Sequence, residues 1–400
     1  MSEPNELIVL PAVCNVLGGT LVTLALLIKG ARGSQTKLRV LVRSGSAMET
    51  YLRQLGHADC LQMIPGSTNQ EFLRQALVWV SQQPSEIPLL LDNCVDRSVI
   101  SVMLQFALPL RLSGRPVYHF FHDLARSYNL IGYLSRKLIF SLLAPRSICN
   151  SYFTASHIRA LTPNVYGILY QPVDSEKFNP DFPVQPPTAL LPILQSGAKL
   201  LLTPSRINTA GIVNDKNLRG LIPVLAELKS RGLFYHGVVV GEDRSPDQSN
   251  SQELLNLAEQ AGVADRFTIL PASFAIQDYY RFADVMVTLA PREPFGRVVV
   301  EAIACGAPVV GSCTGGIGEV LSQCAPDWRV DPADPVAVAT KIHHLATEPE
   351  TPQTIAQAQA WVAEHCGVDK YAHALLEITK THAPKLIEDA RTVPHLSSKG

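Results

Sequence analysis

The stretch Ala290-Pro-Arg-Glu-Pro-Phe-Gly-Arg-Val-Val-Val-Glu-Ala-Ile-Ala-Cys-Gly-Ala-Pro-Val-Val310 decides how this chain is read. Two acidic residues, Glu293 and Glu301, lie eight positions apart around a Pro-Phe-Gly turn. A valine run leads into a Glu-Ala-Ile-Ala segment of helical character. Gly306 stops that helix, and Pro308 opens the next apolar run. A carboxylate in the loop and another inside the helix can face one ligand, and Gly296 lets backbone N–H groups approach it closely. Taken alone, the same letters also describe a strand, a turn, a helix and a strand with two solvated acids.

On either side of this stretch, apolar runs alternate with segments of helical spacing. In the first half, strands are expected at 7–14, 38–42, 61–64, 87–91 and 117–121, with helices at 21–31, 48–55, 71–82 and 97–112. The periodicity collapses around 170–180, and Pro180, Pro183, Pro186, Pro187 and Pro192 read as a stiff linker. A second series follows, with strands at 199–202, 238–240, 267–270, 285–289 and at Val330, and helices at 218–230, 251–261, 277–282 and 335–346. Two further helical patterns span 353–366 and 369–380. Such alternation with short loops specifies parallel, doubly wound sheets, so the fold class is α/β with two tandem Rossmann-like domains. Their expected extents are 1–183 and 184–366, with a frayed tail at 391–400.

The bulk numbers agree and exclude several classes. Four hundred residues exceed one ordinary core. A formal net charge of −1 gives no case for nucleic acid as a partner. The halves nevertheless differ: residues 1–180 hold 16 Lys/Arg against 11 Asp/Glu, and residues 181–400 hold 18 against 24. Eight cysteines are scattered without a CxxC pair, and His57 before Cys60 has no second pair to complete a zinc site, so no metal is expected. Reduced thiols, acidic and polar residues at 2–6, and apolar runs at 21–28 and 100–112 too short to span a bilayer point to the cytosol. Arg126, Arg136 and Lys137 beside the apolar run 138–143 leave peripheral contact with anionic lipid open. A helix packed into the core with a charged rim is the simpler explanation of that cluster.

The wording Glu-Pro-Phe-Gly-x-x-x-x-Glu-Ala-x-x-x-Gly-x-Pro-Val-Val closely resembles the signature of retaining family 4 glycosyltransferases. The resemblance is dense from about 199 to 346 and thin before that. It implies a GT-B architecture, with the active site in a cleft between two Rossmann-like domains. A C-terminal helix at about 367–390 would pack back on the first of them. The implied reaction moves a hexose from a nucleotide sugar to an acceptor hydroxyl of a glycan, lipid or small molecule, with retained configuration. No metal or other cofactor is required.

Residue by residue, the resemblance puts Glu293 at the donor sugar, Glu301 at the ribose hydroxyls, and the backbone of Phe295, Gly296 and Arg297 against sugar and phosphate. Carboxylates suit hydroxyl recognition because each accepts two protons at once. Arg206 and Lys216 match the positions that hold the diphosphate, where one guanidinium and one ammonium give charge-assisted hydrogen bonds. Gly241, in Val-Val-Val-Gly-Glu-Asp, matches a strand-end turn. Gly315 and Gly316 resemble a Gly-Gly-x-x-Glu loop. On the acceptor side, Gly18 and Gly19 match a loop after the first strand. His122, with His119 as second choice, matches a histidine that orients sugar or acceptor, and a buried structural histidine is the alternative. A nucleotide-sugar epimerase and a non-catalytic nucleotide-sugar binding protein are the rival functions.

Overall fold

The run Glu-Leu-Ile-Val-Leu-Pro forms strand β1 (Glu6–Pro11), and its alternate residues enter opposite cores of one sheet. Ile8 and Leu10 join one cluster, and Leu7 and Val9 the other. That is why the strand is apolar at consecutive positions: a parallel sheet covered on both faces offers no solvent side. The computed structural model describes residues 6–12, 18–127, 129–181, 185–209, 211 and 215–380. Six further strands complete the sheet: β2 (Lys37–Arg43), β3 (Leu61–Ile64), β4 (Leu89–Asp92), β5 (Val117–Phe121), β6 (Arg146–Cys149) and β7 (Val165–Ile168). All pairings are parallel, in the order β3-β2-β1-β4-β5-β6-β7.

Helices Asn69–Ser81, Ile100–Leu112 and Leu130–Leu143 cover one face through Phe72, Leu73, Met103, Ile139 and Phe140. Helices Gly19–Ala31, Ala47–Gln54 and Val368–Lys380 cover the other through Leu24, Leu52, Tyr371 and Leu375. The last of these arrives from the far end of the chain. Its Val368 and Ala372 lie where a Cβ on Gly30 would come within 2.6 and 2.9 Å, and Tyr118 Oη donates to Thr379 O at 3.3 Å. The positions 381–390 of the expected helix and the tail at 391–400 lie outside the described residues, as does Cys14. The described cysteines form no disulfides with one another.

The second sheet holds β8 (Lys199–Pro204), β9 (Tyr235–Val240), β10 (Phe267–Leu270), β11 (Val285–Thr288), β12 (Val309–Ser312) and β13 (Arg329–Val330). Its order is β10-β9-β8-β11-β12-β13, again all parallel. Both units are therefore doubly wound, and in each the strand order reverses beside the first strand, between β1 and β4 and between β8 and β11.

Several elements differ from the sequence expectation. β6, helix Tyr152–Ile158 and β7 were not expected, because buried Ser147 and Thr154 break the apolar pattern of the first two and Gly167 interrupts the short third. Ser147 is buried and shares a 3.0 Å hydrogen bond with Thr162. The compact units divide at Pro172/Val173 and Gly367/Val368 rather than at 183/184. Val173 N–H donates to Cys366 O at 2.8 Å, and Arg281 donates to the carbonyls of Lys177 and Asn179 at 2.9 and 2.7 Å. The start of the proline-rich stretch is thus fastened to the second unit instead of spanning freely, and Pro192 lies within helix Leu191–Gln195. The helix beside Arg136 and Lys137 is not buried in the core. Only Ile139, Phe140 and Leu143 of Leu130–Leu143 are buried.

Gly30 tests the return of the last helix. Alanine normally exceeds glycine inside a helix by about 0.5–1 kcal/mol, whereas forcing carbon into a closed contact costs about 1–3 kcal/mol. The contact to backbone oxygen decides the sign, since Val368 O has no rotamer with which to yield. Gly30→Val is expected to lose about 2 kcal/mol. Hydrogen exchange should rise in first-unit amides, including those of Val368–Lys380, while β8 and β9 keep their protection.

Candidate active site

In open parallel sheets, ligands bind outside the carboxyl ends of strands where the order reverses. In the second unit that point lies between β8 and β11. After β8 the chain passes Ser205 and exposed Arg206, and Ile207 forms a parallel bridge with Asp243. Gly241 fits here for a steric reason. A Cβ on it would stand 1.7 Å from Ser205 O, so two loops cross where only glycine leaves room. Asp243 fixes the far side by accepting from the N–H and hydroxyl groups of Ser245 and Ser251 at 2.6–2.9 Å. Burial opposes ionisation of Asp243, but these hydrogen bonds outweigh it and hold the carboxyl well below the usual range.

After β11 the loop runs through Pro291 and Glu293 to Phe295, whose side chain is fully buried and anchors the turn. Gly296 follows at φ +91°, a conformation costly for any residue with a Cβ, and starts helix Arg297–Ala304. Glu293 is held by its backbone. Gly316 N–H donates to Glu293 O at 2.7 Å, and Thr314 Oγ1 donates to Pro291 O at 2.8 Å. A Cβ on Gly316 would lie 2.3 Å from Pro294 O, and one on Gly315 3.1 Å from Glu293 O. The expected Gly-Gly loop is instead the first turn of helix Gly315–Cys324, pressed backbone to backbone against the Glu293 segment. Its two glycines place Glu293, and their fit is explained by that contact.

Across the reversal point, Lys216 Nζ donates to Glu293 Oε2, joining two charges 77 residues apart. The side chains are 20% and 23% exposed, so the pair is accessible to solvent and solutes. Arg206 makes no ion pair among the described residues. Asn217, next in the chain after Lys216, sets the geometry. It adopts φ +52°, its N–H donates to Asp215 Oδ1 at 2.8 Å, and its Nδ2 donates to Leu289 O and Pro332 O at 3.3 and 3.5 Å. One side chain thereby ties the Lys216 turn to the loops after β11 and β13.

Glu301 is buried, with Arg297 Nε donating to Oε1 at 2.8 Å and Tyr280 Oη to Oε2 at 3.3 Å. Burial, then the adjacent Glu301 charge, raises the Tyr280 phenol well above its ordinary value, so it stays a donor. Each carboxylate oxygen keeps a second lone pair for a hydroxyl. From sequence, the resemblance sets the stretch 280–284 beside the nucleotide base but gives Tyr280 no contact with Glu301. A tyrosine in a short helix leaves no signal until the fold shows what it touches.

In the first unit the two histidine candidates separate. His119 is buried against Phe121 and Phe140, with ring centroids at 4.1 and 5.1 Å, and neither ring nitrogen has a hydrogen-bond partner. Desolvation, then nearby His122 and Arg136, pushes its pKa down to about 3, so it is neutral. His122 closes β5 on the opposite face, with Nε2 2.6 Å from Asp92 Oδ1 and Nδ1 3.4 Å from Gln171 Nε2. The Gln171 amide is a donor, so Nδ1 accepts and Nε2 carries the proton toward Asp92. With both nitrogens engaged, the geometry gives His122 an orienting role on Asp92. Asp92 went unremarked in the sequence, although one carboxylate ending an all-apolar strand, Leu89-Leu-Leu-Asp92, was the available signal. Among the described residues, no atom lies within 4 Å of a Cβ placed on Gly18 or Gly19. Residues 13–17 of that loop lie outside the described residues.

Two consequences can be measured. The unfolded chain protonates His119 near its ordinary value of about 6.5, whereas the folded chain resists protonation down to about 3. Folding stability should therefore fall by about 1.4 kcal/mol per pH unit as pH drops from 6 toward 3. The difference in unfolding free energy between wild type and His119→Phe, followed across that range, should show this slope; a flat difference removes the assignment. Asn217→Gly keeps the left-handed turn but loses the amide, and Asn217→Asp keeps the shape but loses the donor. Both should lower the unfolding free energy of the second unit by about 1 kcal/mol per hydrogen bond lost, measured by chemical denaturation. If both unfold as wild type, the tie to Leu289 and Pro332 is not what holds the Lys216 turn.

Residues 194–360 match the family described as glycosyl transferases group 1. Among curated relatives, D-inositol 3-phosphate glycosyltransferase of Xylanimonas cellulosilytica is 34% identical over 129 residues, or 32% of this chain and 31% of that protein. Its namesake in Segniliparus rotundus is 29% identical over 224 residues, or 53% and 47%. The chain spans less than half the length of these curated relatives. Among solved structures, HepE of Anabaena in complex with UDP and glucose superposes with a TM-score of 0.73 at 20% identity, covering 93% of this chain and 98% of that one. A glycosyltransferase of Rickettsia africae gives 0.71 at 14%, covering 94% and 98%. Motif, matched residues and the two-sheet GT-B architecture agree, and the second unit of this chain is a glycosyl transferases group 1 domain.

Proposed function

We infer that the chain transfers a hexose from a nucleoside diphosphate sugar to an acceptor hydroxyl with retention of configuration. The observation that carries this reading is the Lys216–Glu293 pair at the reversal point of a group 1 domain. An ion pair this accessible is worth about 0–1 kcal/mol, so a ligand diphosphate can take over the Lys216 ammonium at little cost. Glu293, released from the lysine, then accepts hydroxyl protons of the sugar carried by that diphosphate. Exposed Arg206, after β8, supplies a second cation.

In the transfer, the bond from the sugar C1 to the phosphate oxygen breaks and one from C1 to the acceptor oxygen forms on the same face. The acceptor proton passes to the departing phosphate. Charge grows on that phosphate, so fixed cations stabilise the transition state more than the ground state. Lys216 and Arg206 fill the role that a metal plays elsewhere, which makes the reaction metal-independent in this reading. Glu301, oriented by Arg297 and Tyr280, addresses the ribose hydroxyls. UDP-glucose is the donor to try first, given the UDP and glucose held by the HepE structure. The described residues contain no helix long and apolar enough to cross a membrane. The reading places the protein in the cytosol with peripheral contact at an anionic surface.

A panel of nucleotide sugars, scored for nucleotide release with and without candidate acceptors, tests the reaction class. Acceptor-dependent release supports transfer. An isomerised sugar without release indicates an epimerase, and binding without turnover indicates a carrier. Glu293→Gln should keep or tighten UDP binding, because it frees Lys216, while transfer falls by about 10²–10³. Lys216→Ala should weaken UDP by about tenfold or more and lose turnover with it. Wild-type turnover in both variants would sink the site.

A further inference from the structure

Helix Leu130–Leu143 spends only one narrow stripe on the core. The opposite stripe, at the i, i+3, i+4 spacing of one helix face, carries Leu130, Ile131, Leu134 and Leu138, which are 70%, 77%, 52% and 50% exposed. Four large aliphatic side chains in a row on the solvent face invert the normal pattern, whereas scattered single ones would need no account. Neighbouring helix Ile100–Leu112 extends the surface with exposed Leu108 and Leu112. Arg111 joins the two helices by donating to Ser141 O at 3.2 Å.

The charge around this surface has one sign. Residues 97–173 contain eight Lys/Arg and a single acidic residue, Asp123. Of the cations, Arg111 is exposed on the first helix, and Arg136 and Lys137 lie on the second. Arg136 is braced by donating to Arg126 O at 3.0 Å. A second copy of this chain would bring like charges together across the apolar face, whereas an anionic bilayer matches both features at once. The aliphatic side chains enter the acyl boundary, and the cations reach the headgroups.

We propose that helices Ile100–Leu112 and Leu130–Leu143 form an interfacial platform that docks the first unit on a membrane rich in anionic lipid. This stands whether or not the second unit transfers a sugar. Wild-type protein should sediment with vesicles of phosphatidylcholine plus phosphatidylglycerol, and high salt should release it. It should not sediment with vesicles of phosphatidylcholine alone. Ile131→Ser with Leu134→Ser should lower the partition coefficient at least about tenfold, because a buried aliphatic side chain contributes on that scale. Arg136→Gln with Lys137→Gln should lower it by about fivefold per cation. All four positions lie outside the buried core, and unchanged thermal unfolding together with unchanged UDP binding verifies that each variant is folded. No sedimentation of wild type, equal sedimentation of the variants, or a salt-insensitive attachment to neutral vesicles overturns the proposal. So does a dimer in analytical ultracentrifugation that the Ile131/Leu134 variant abolishes.

Discussion

Each sheet is buried on both faces, and this one constraint decides where charge can stand. A parallel strand flanked by helices has no solvent side, so an ionised group in its middle would need a partner inside the core. The strands accordingly read as runs of Leu, Val and Ile, and their chemistry collects at the carboxyl ends. Asp92 closes β4, His122 follows β5, Arg206 follows β8, and Glu293 rides the loop after β11. His119 marks the limit of the rule from the other side. It lies within β5, pays for its burial by losing its proton, and leaves two nitrogens unbonded.

Within the second unit, backbone fit does the work of aiming a side chain. The first turn of Gly315–Cys324 presses on residues 293–295 so closely that two successive glycines are needed. The gain is a carboxylate whose main chain cannot drift while its side chain remains free to change partners. Glu293 uses that freedom on Lys216. Glu301, eight residues further on, has none: it is buried and held from both sides by Arg297 and Tyr280. Two acids from one short sequence are thus held differently, one by its main chain and a single lysine, the other on both carboxylate oxygens.

Much of this was legible from letters alone. The alternation of apolar runs with helical spacing gave both doubly wound units, and the Glu-Pro-Phe-Gly wording pointed to a candidate site on the second. What escaped notice had definite physical causes. β6 was hidden because a buried Ser147–Thr162 hydrogen bond replaces an apolar contact, and periodicity counts serine as surface; β7 is only four residues long and is interrupted by Gly167. Gly315-Gly316 read as a loop because glycine normally opposes helices, a preference overridden here by the close approach of another backbone. The part played by Asn217 could not be read from its letter, since it lies in a left-handed turn and in two carbonyls distant in sequence. The outward face of Leu130–Leu143 was misread for the opposite reason. Apolar letters at helical spacing say that a face wants burial, and only the fold tells whether the protein supplies it.

The helix Val368–Lys380 belongs to the first unit although the whole second unit precedes it in the chain. Synthesis runs from the amino end, and domains generally fold as they emerge. Here the second unit is complete on the ribosome before the first has received Tyr371, Ala372, Leu375 and Leu376 for its core. The first sheet must wait, half covered, with Leu24, Ala25 and Tyr118 lacking their final partners. The nascent protein therefore closes in reverse order, the amino-terminal unit last, and its most vulnerable interval in the cell is the time taken to translate the segment between.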